Sequence, residues 1–321
     1  MNSMLRILCE PQNIASNLDT LLIRNISRVG LVVAFLFLLS TLNSINAQQL
    51  SGTDWANALS SKKADITVVY YPEQAFAFKD NRGNYTGVEL DILNQFFVWL
   101  KNAKGITVTV TFREQGDFDK LLSSVKSSKG GVFGAGNITI TEERRKYFKY
   151  SPSYLNNIAV LMTHSSAPEL KSLESISEVY KSYSAVVHKG TTHVITLNKL
   201  RETYFPDLSI KIANSDDEAI KAVINNRKLF TYTDLANYWM AQKDNQPVKR
   251  QEIGDKTTEQ FGFIMPKNSA WDQAFSEFFN LGAGYRSNIM YKKILMRHLG
   301  NEVTQMLEMA LAQQSQSNSN K

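Results

Sequence analysis

The sequence predicts an α/β protein built as two similar units, and three observations carry that prediction. Segments with period-two alternation recur between segments with helical spacing, the pattern of parallel βαβ units. A strand running into a polar loop that opens a helix occurs around residues 132–145 and again around 184–200. Apolar residues at 43% and charged residues at 21% are ordinary for a folded chain, and 321 residues suffice for one large core or two modest ones.

The elements follow in order. After a polar N-terminal linker at 48–63, "DITVVYY" (65–71) is rich in β-branched and aromatic residues and predicts a first strand. "DNRGNYTG" predicts a turn, with Asn81 and Gly83 suited to positive φ. Leu90, Leu93, Phe96, Phe97 and Leu100 then recur at helical spacing. "ITVTVTF" alternates as a strand, "DFDKLLSSVKSS" predicts a short helix stopped by Gly130 and Gly131, and "GVFGAGNITI" is a third strand. The second unit begins after residues 157–176. "YSAVVHKGTTHVITLNKL" reads as strand, Gly-Thr-Thr loop and helix; a strand, a helix, a strand at 229–232 and a helix follow. "EQFGFIMP" supplies one more strand before two helices, and "AQQSQSNSNK" is expected as a disordered polar tail.

Charge and the N-terminus bound the function. The net charge of +6 comes from scattered residues and isolated doublets, not from the basic, aromatic-interleaved face of a nucleic-acid binder. Val29 to Leu42 is an almost unbroken apolar run preceded by Arg24 and Arg28. It is shorter than the roughly 20 residues of a spanning helix, and it ends at small Ala47 before two glutamines. Residues 1–47 are therefore expected to be a cleavable signal peptide, with an uncleaved anchor as the alternative. The one cysteine, Cys9, lies inside that presequence, so neither a disulfide nor a lipid anchor is expected. The mature chain is expected in the periplasm, soluble and monomeric.

Several chemistries find no support. Gly134-Ala135-Gly136 lacks the third glycine of a dinucleotide fingerprint, and there is no phosphate-binding G-x-x-x-x-G-K-[ST]. His164, His188, His193 and His298 have no metal-ligand spacing, and no G-x-S-x-G elbow occurs. No cofactor or metal is expected. His188 and His193 flank Gly190-Thr191-Thr192 and stand either near a pocket or on a loop surface.

A binding chemistry does find support. In "GAGNITITEERRKYFKYSPSY", Arg144 lies in the first turn of a helix opening at Thr141, with Glu142 and Glu143 suited to that N-terminus. Arginine holds a carboxylate through a rigid fork, and backbone N–H groups with the Thr139 hydroxyl complete an anion seat. An exposed helix-start arginine is the plainer alternative. Thr192 opens a comparable helix in the second unit, and Asp234, beyond a strand end, is placed to receive an ammonium. An arginine and an aspartate from separate units would match a zwitterion across a cleft.

"NITITEERRKYFKYSPSY" resembles the "ITxxR…FSxPY" signature of bacterial extracellular solute-binding proteins of family 3, the polar amino-acid binding proteins of ABC transporters. "GNYTGVELDIL", "VVHKGTT" and "EQFGFIMPKNS" are similar to three further segments of that family in the same order, so the resemblance runs from about Asp65 to Gly300. It implies a type II periplasmic binding protein: two α/β lobes, at 64–160 plus 258–300 and at 161–257, joined by hinge strands at 158–163 and 260–265. Residues 301–321 would be a helix end and tail. It implies that Arg144 clamps an α-carboxylate, Asn137 and Thr139 line the first lobe, Thr192 contributes from the second, Asp234 holds the α-ammonium and Phe118 walls the ligand side chain. An ABC permease would be the partner. The chain departs from the family pattern at Tyr70 and Glu73 and at Asn137, all of which bear on the side-chain pocket. Glu73 suits a cationic or hydrogen-bonding side chain, or is a solvated loop residue. Some relatives with these lobes are enzymes, so an exported lyase or dehydratase using Glu73, His188 or His193 is the alternative, and a sensory binding protein without a transporter is another.

Overall fold

The computed structural model describes the backbone of residues 49–319, and side chains there except those of 258 and 310–319. The expected signal peptide at 1–47 and Cys9 lie outside the described residues.

The expected linker is instead folded. Asp54 caps a helix, α1 (Trp55–Ser61), by accepting from the Asn57 amide. Trp55 is buried against Trp271 at a ring distance of 4.9 Å, and Trp271 Nε1 donates to the Thr53 carbonyl. Burial of these two indoles ties the segment to the first lobe. From there the chain runs through β1 (Lys63–Tyr70), a small hairpin of β2 (Phe78–Lys79) and β3 (Tyr85–Thr86), and α2 (Val88–Lys104). In α2 the residues Leu90, Leu93, Phe96 and Leu100 are buried as their spacing requires, and Gly105 ends it in the left-handed region. Next come β4 (Thr107–Glu114), α3 (Phe118–Lys126), β5 (Val132–Ala135), α4 (Glu142–Arg145) and β6 (Phe148–Tyr150).

The second lobe contains β7 (Leu155–His164), α5 (Ile176–Val179), β8 (Ser184–His188), α6 (Thr192–Tyr204), β9 (Ile210–Ala213), α7 (Asp216–Asn225), β10 (Leu229–Asp234), α8 (Leu235–Lys243), β11 (Val248–Arg250) and β12 (Lys256–Phe261). The chain returns through β13 (Ile264–Pro266) to α9 (Trp271–Phe279) and α10 (Ile289–Ser319). The last helix breaks at Gly300, whose φ of 82° is non-helical, and its backbone then stays helical through most of the expected disordered tail. Val303 and Leu307 are buried on its near side, and Leu, Met, Ala and Gln favour its continuation.

Among the described residues the strands form two main sheets. The first runs β4-β1-β5-β13-β6, with β1 parallel to both β4 and β5; the second runs β11-β7-β10-β8-β9, with β12 also on β7. β7 belongs wholly to the second sheet, yet its residues Leu155, Ile158 and Val160 pack in the first lobe's core. The two crossings therefore fall at 151–154 and 262–263, a few residues before and within the spans expected for the hinges. An uninterrupted apolar run such as 155–164 carries no mark of which sheet it joins. Both sheets end their parallel strands at one cleft, where ligands of α/β sheets collect.

Candidate binding cleft

Each lobe delivers loops from its strand ends. From the first come Tyr71 and Glu73 after β1, Gly136, Asn137 and Thr139 after β5, Phe118 at the start of α3, and Arg144 in α4. From the second come His188 at the end of β8, Thr191, Thr192 and His193 at the start of α6, Asp216 at the start of α7, and Asp234 at the end of β10. Seven of the eight sequence-predicted site residues, Arg144, Asp234, Thr192, Thr139, Asn137, Phe118 and Glu73, thus meet in one place.

Tyr70 does not. Its ring is fully buried behind the cleft, its hydroxyl donates to Glu114 Oε2 at 2.7 Å, and it meets Tyr85 edge-on. Successive strand residues face opposite ways, so the cleft receives Tyr71 in its place.

The first-lobe loop is held from below. Asn137 has a φ of 51°, and the amides of Gly136 and Asn137 donate to the fully buried Glu89 carboxyl at 3.0 and 3.4 Å. Tyr154 donates to the same group at 2.7 Å. Burial pushes the Glu89 pKa up to about 7, against the pull of these donors.

Arg144 spans the cleft mouth. Nη1 donates to the Thr139 carbonyl at 3.1 Å and Nη2 reaches the Gly190 carbonyl of the other lobe at 3.0 Å. The guanidinium stands 5.5 Å from the centre of the Phe118 ring. Burial lowers its pKa, with the nearby acids opposing, and arginine stays charged throughout. Further ties cross between the lobes: Asn137 Nδ2 to Asp234 Oδ2 at 3.4 Å, the Thr139 and Thr192 hydroxyls 3.3 Å apart, and Lys189 to Asp117 at 2.6 Å. With the lobes so engaged, the central cavity is about 20 Å³, the room of a single water. Entry of anything larger requires the lobes to part.

Asp234 sits in a charge network that sequence spacing did not reveal. Its Oδ1 accepts from Asn157 Nδ2 at 2.7 Å and lies 3.3 Å from His193 Nε2. Asn157 also donates to Glu259 Oε2 at 2.9 Å, and Glu259 Oε1 accepts from the Thr192 hydroxyl at 3.0 Å. Burial depresses the His193 pKa, but Asp234, with Glu259 and Asp216 adding to it, overcomes that and raises it to about 9. His193, Asp234 and Glu259 bring donor atoms within 4.8 Å of one another, the closest approach to a metal-ligand set among the described residues. The Asn157 amide already bridges the two carboxylates and an imidazolium faces them, which makes the group a balanced hydrogen-bonded network.

On the other side, His188 is buried with Nδ1 2.8 Å from Asp216 Oδ2. Its ring lies 5.6 Å from Tyr71 and 6.0 Å from Phe118. Burial first, then Asp216 and Asp234, push the Glu73 carboxyl well above the usual carboxylate range, with Asn237 opposing. His188 and His193 both prove to be buried cleft residues, not loop-surface ones. Asp216 was within reach of sequence reasoning, since Ser215 caps α7 just as Thr141 caps α4. Glu259 and Asn157 lie on paired strands whose sequences carry no such punctuation.

Two lobes with convergent polar groups from both define a ligand-capturing protein, and known proteins place it further. The chain belongs to the bacterial extracellular solute-binding proteins, family 3, whose sequence profile matches residues 66–318. It is similar in fold to an ancestral arginine-binding protein solved with arginine, at 23% identity and a TM-score of 0.56, covering 74% of this chain and 98% of that one. It is similar also to a histidine-bound substrate-binding protein of an ABC uptake transporter from Streptococcus pneumoniae, at 18% identity and 0.61, covering 77% and 96%. The fold is that of the type II periplasmic binding proteins. A membrane-bound lytic murein transglycosylase F from Pectobacterium atrosepticum is 22% identical over 214 residues, which are 66% of this chain; the chain spans 41% of that relative's length. Among the described residues no helix is long and apolar enough to cross a membrane.

Proposed function

We propose that this chain is an exported solute-binding protein that captures an amino acid or related small carboxylate by lobe closure and delivers it to an ABC permease. The observation that carries the reading is the convergence of Arg144 and Asp234, one from each lobe, on a cleft whose wall holds buried polar atoms without partners: Asn137 Oδ1, His188 Nε2 and His193 Nδ1. Such atoms are costly unless something else satisfies them. Arg144 exchanges its two backbone carbonyls for the ligand carboxylate, which accepts both arms of the fork. Asp234 receives the ammonium, the Thr139 and Thr192 hydroxyls hydrogen-bond the bound group, and Phe118 walls the side chain. Family membership and the amino-acid-bound neighbours support the reading. Calorimetric titration of the purified protein against the common amino acids tests it: one or a few bind with 1:1 stoichiometry, whereas heat from none of them, nor from related carboxylates, overturns it.

A second reading has one observation in its favour. The His188–Asp216 pair leaves Nε2 at the cleft wall, an arrangement able to exchange a proton with a bound molecule. Loss of carbon dioxide and water from a prephenate-like acid, the departing hydroxyl taking a proton from the His188 imidazolium, followed by absorbance and abolished by His188→Gln, would establish a lyase; a flat trace removes it.

A further inference from the structure

The cleft wall is rich in acids. Glu73 from the first lobe and Asp216 and Asp234 from the second all line it, with Glu259 joined to Asp234 through Asn157. Among the described residues its cationic partners are Arg144 and the imidazolium of His193, while Lys189 is taken by Asp117 outside the lining. A ligand carboxylate on Arg144 and an ammonium on Asp234 leave Glu73 and Asp216 unmatched. A second observation points the same way. Asp216 accepts from His188 Nδ1, so in the neutral imidazole the partnerless Nε2 is an acceptor. His188 is 1% exposed, so that acceptor is shut away from water. Acceptors beside acidic groups call for a donor-only cation, and guanidinium and ammonium are the charged side-chain groups that donate without accepting. The Tyr71 ring, packed edge-on against Phe118 at 5.9 Å, adds an aromatic surface that attracts a cation.

Length points in the same direction. Tyr71 and Glu73 also border a neighbouring groove of about 590 Å³, whose wall carries Asn237, Asp244 and an Asp217–Lys221 ion pair beside Ile220. A side chain passing Glu73 has room to extend into this groove.

We infer that this cleft selects an amino acid with a long cationic side chain, its guanidinium or ammonium held by Glu73 and His188–Asp216 beside Tyr71. The inference rests on the amino-acid-capture reading above.

Matched pairs test it. The purified protein is titrated with arginine and its neutral isostere citrulline, with lysine and norleucine, and with glutamine and glutamate. Arginine and lysine are each expected to bind roughly ten- to a hundredfold tighter than their neutral partners, and tighter than glutamine or glutamate. In Glu73→Gln and Asp216→Asn the arginine-to-citrulline ratio falls toward one, and residual citrulline binding reports a folded cleft. Equal or tighter binding of citrulline, glutamine or glutamate by the unaltered protein overturns the side-chain inference and leaves the capture reading standing. Binding of no amino acid in the set overturns the side-chain inference, and the capture reading falls with it only if the other common amino acids and related carboxylates also give no heat.

Discussion

Arg144 and Arg145 are adjacent in sequence and opposite in circumstance, which makes them a controlled comparison. The Arg144 guanidinium is held inside the cleft by the Thr139 and Gly190 carbonyls and lies over Phe118. Arg145 is half exposed, pairs with Glu142 three residues back and lies over Tyr150. If Arg144 clamps the ligand carboxylate, Arg144→Ala leaves that anion desolvated and unpaired in a closed cleft. Truncating one partner of such a pair costs about 2–5 kcal/mol, roughly thirtyfold to several thousandfold in affinity. Arg144→Lys loses much of the same amount, because a point charge cannot serve two carboxylate oxygens at once. Arg145→Ala removes only a surface pair worth about 0–1 kcal/mol and should leave affinity within a few fold. Isothermal titration of the three variants with the best ligand, alongside thermal melts to confirm folding, reads the difference. Equal losses at the two positions, or no loss at Arg144, would refute the clamp.

The remaining predictions use the same cleft. Gly190 has a φ of 75°, and a Cβ there would stand 2.3 Å from Asp119 Oδ1 of the other lobe; Gly190→Ala should lower stability by about 1–2 kcal/mol and weaken ligand binding separately. Adding Asp119→Ala should restore the binding, read by calorimetry, but not the stability, read by urea unfolding. His193, raised to about 9 from an ordinary 6.5, contributes stability that is complete below 6.5 and lost as pH rises through 9. The decline should approach about 3 kcal/mol and be absent from the urea midpoints of His193→Gln over that window. Glu89, raised to about 7 from an ordinary 4.5, keeps its proton in the fold when the unfolded chain has lost it, so stability falls between those values as pH rises. Glu89→Gln should flatten that fall, again by urea unfolding, and weaken ligand binding as the Asn137 loop loses its anchor.

What was legible in the sequence was whatever local spacing controls. The buried stripe of α2, the Asp117 cap of α3 and the polar openings at Thr141 and Thr191 are each written in a few adjacent residues, and the cleft residues at those openings followed from them. Tyr70 and Tyr71 show where this stops. In "VVYY" every residue is apolar or aromatic and all are buried, so no alternation says which tyrosine turns to the cleft. The helix at Trp55 hid in a short polar stretch because its stability comes from Trp271, more than two hundred residues away. The Asp234 network was invisible for the same reason: Asn157 and Glu259 reach it only through antiparallel pairing of β7 with β12.

The central claim is that a zwitterion bridges Arg144 and Asp234, and one titration series bears on it directly. The best-binding amino acid is compared with its des-amino acid, which keeps the carboxylate, and with its carboxamide, which keeps the ammonium. Both losses should be large, on the order of 2–5 kcal/mol each, because each analogue leaves one buried charge of the cleft unmatched. A des-amino acid that binds as tightly as the amino acid would contradict the account, since His193 would then already hold the place at Asp234 that the ammonium is meant to take.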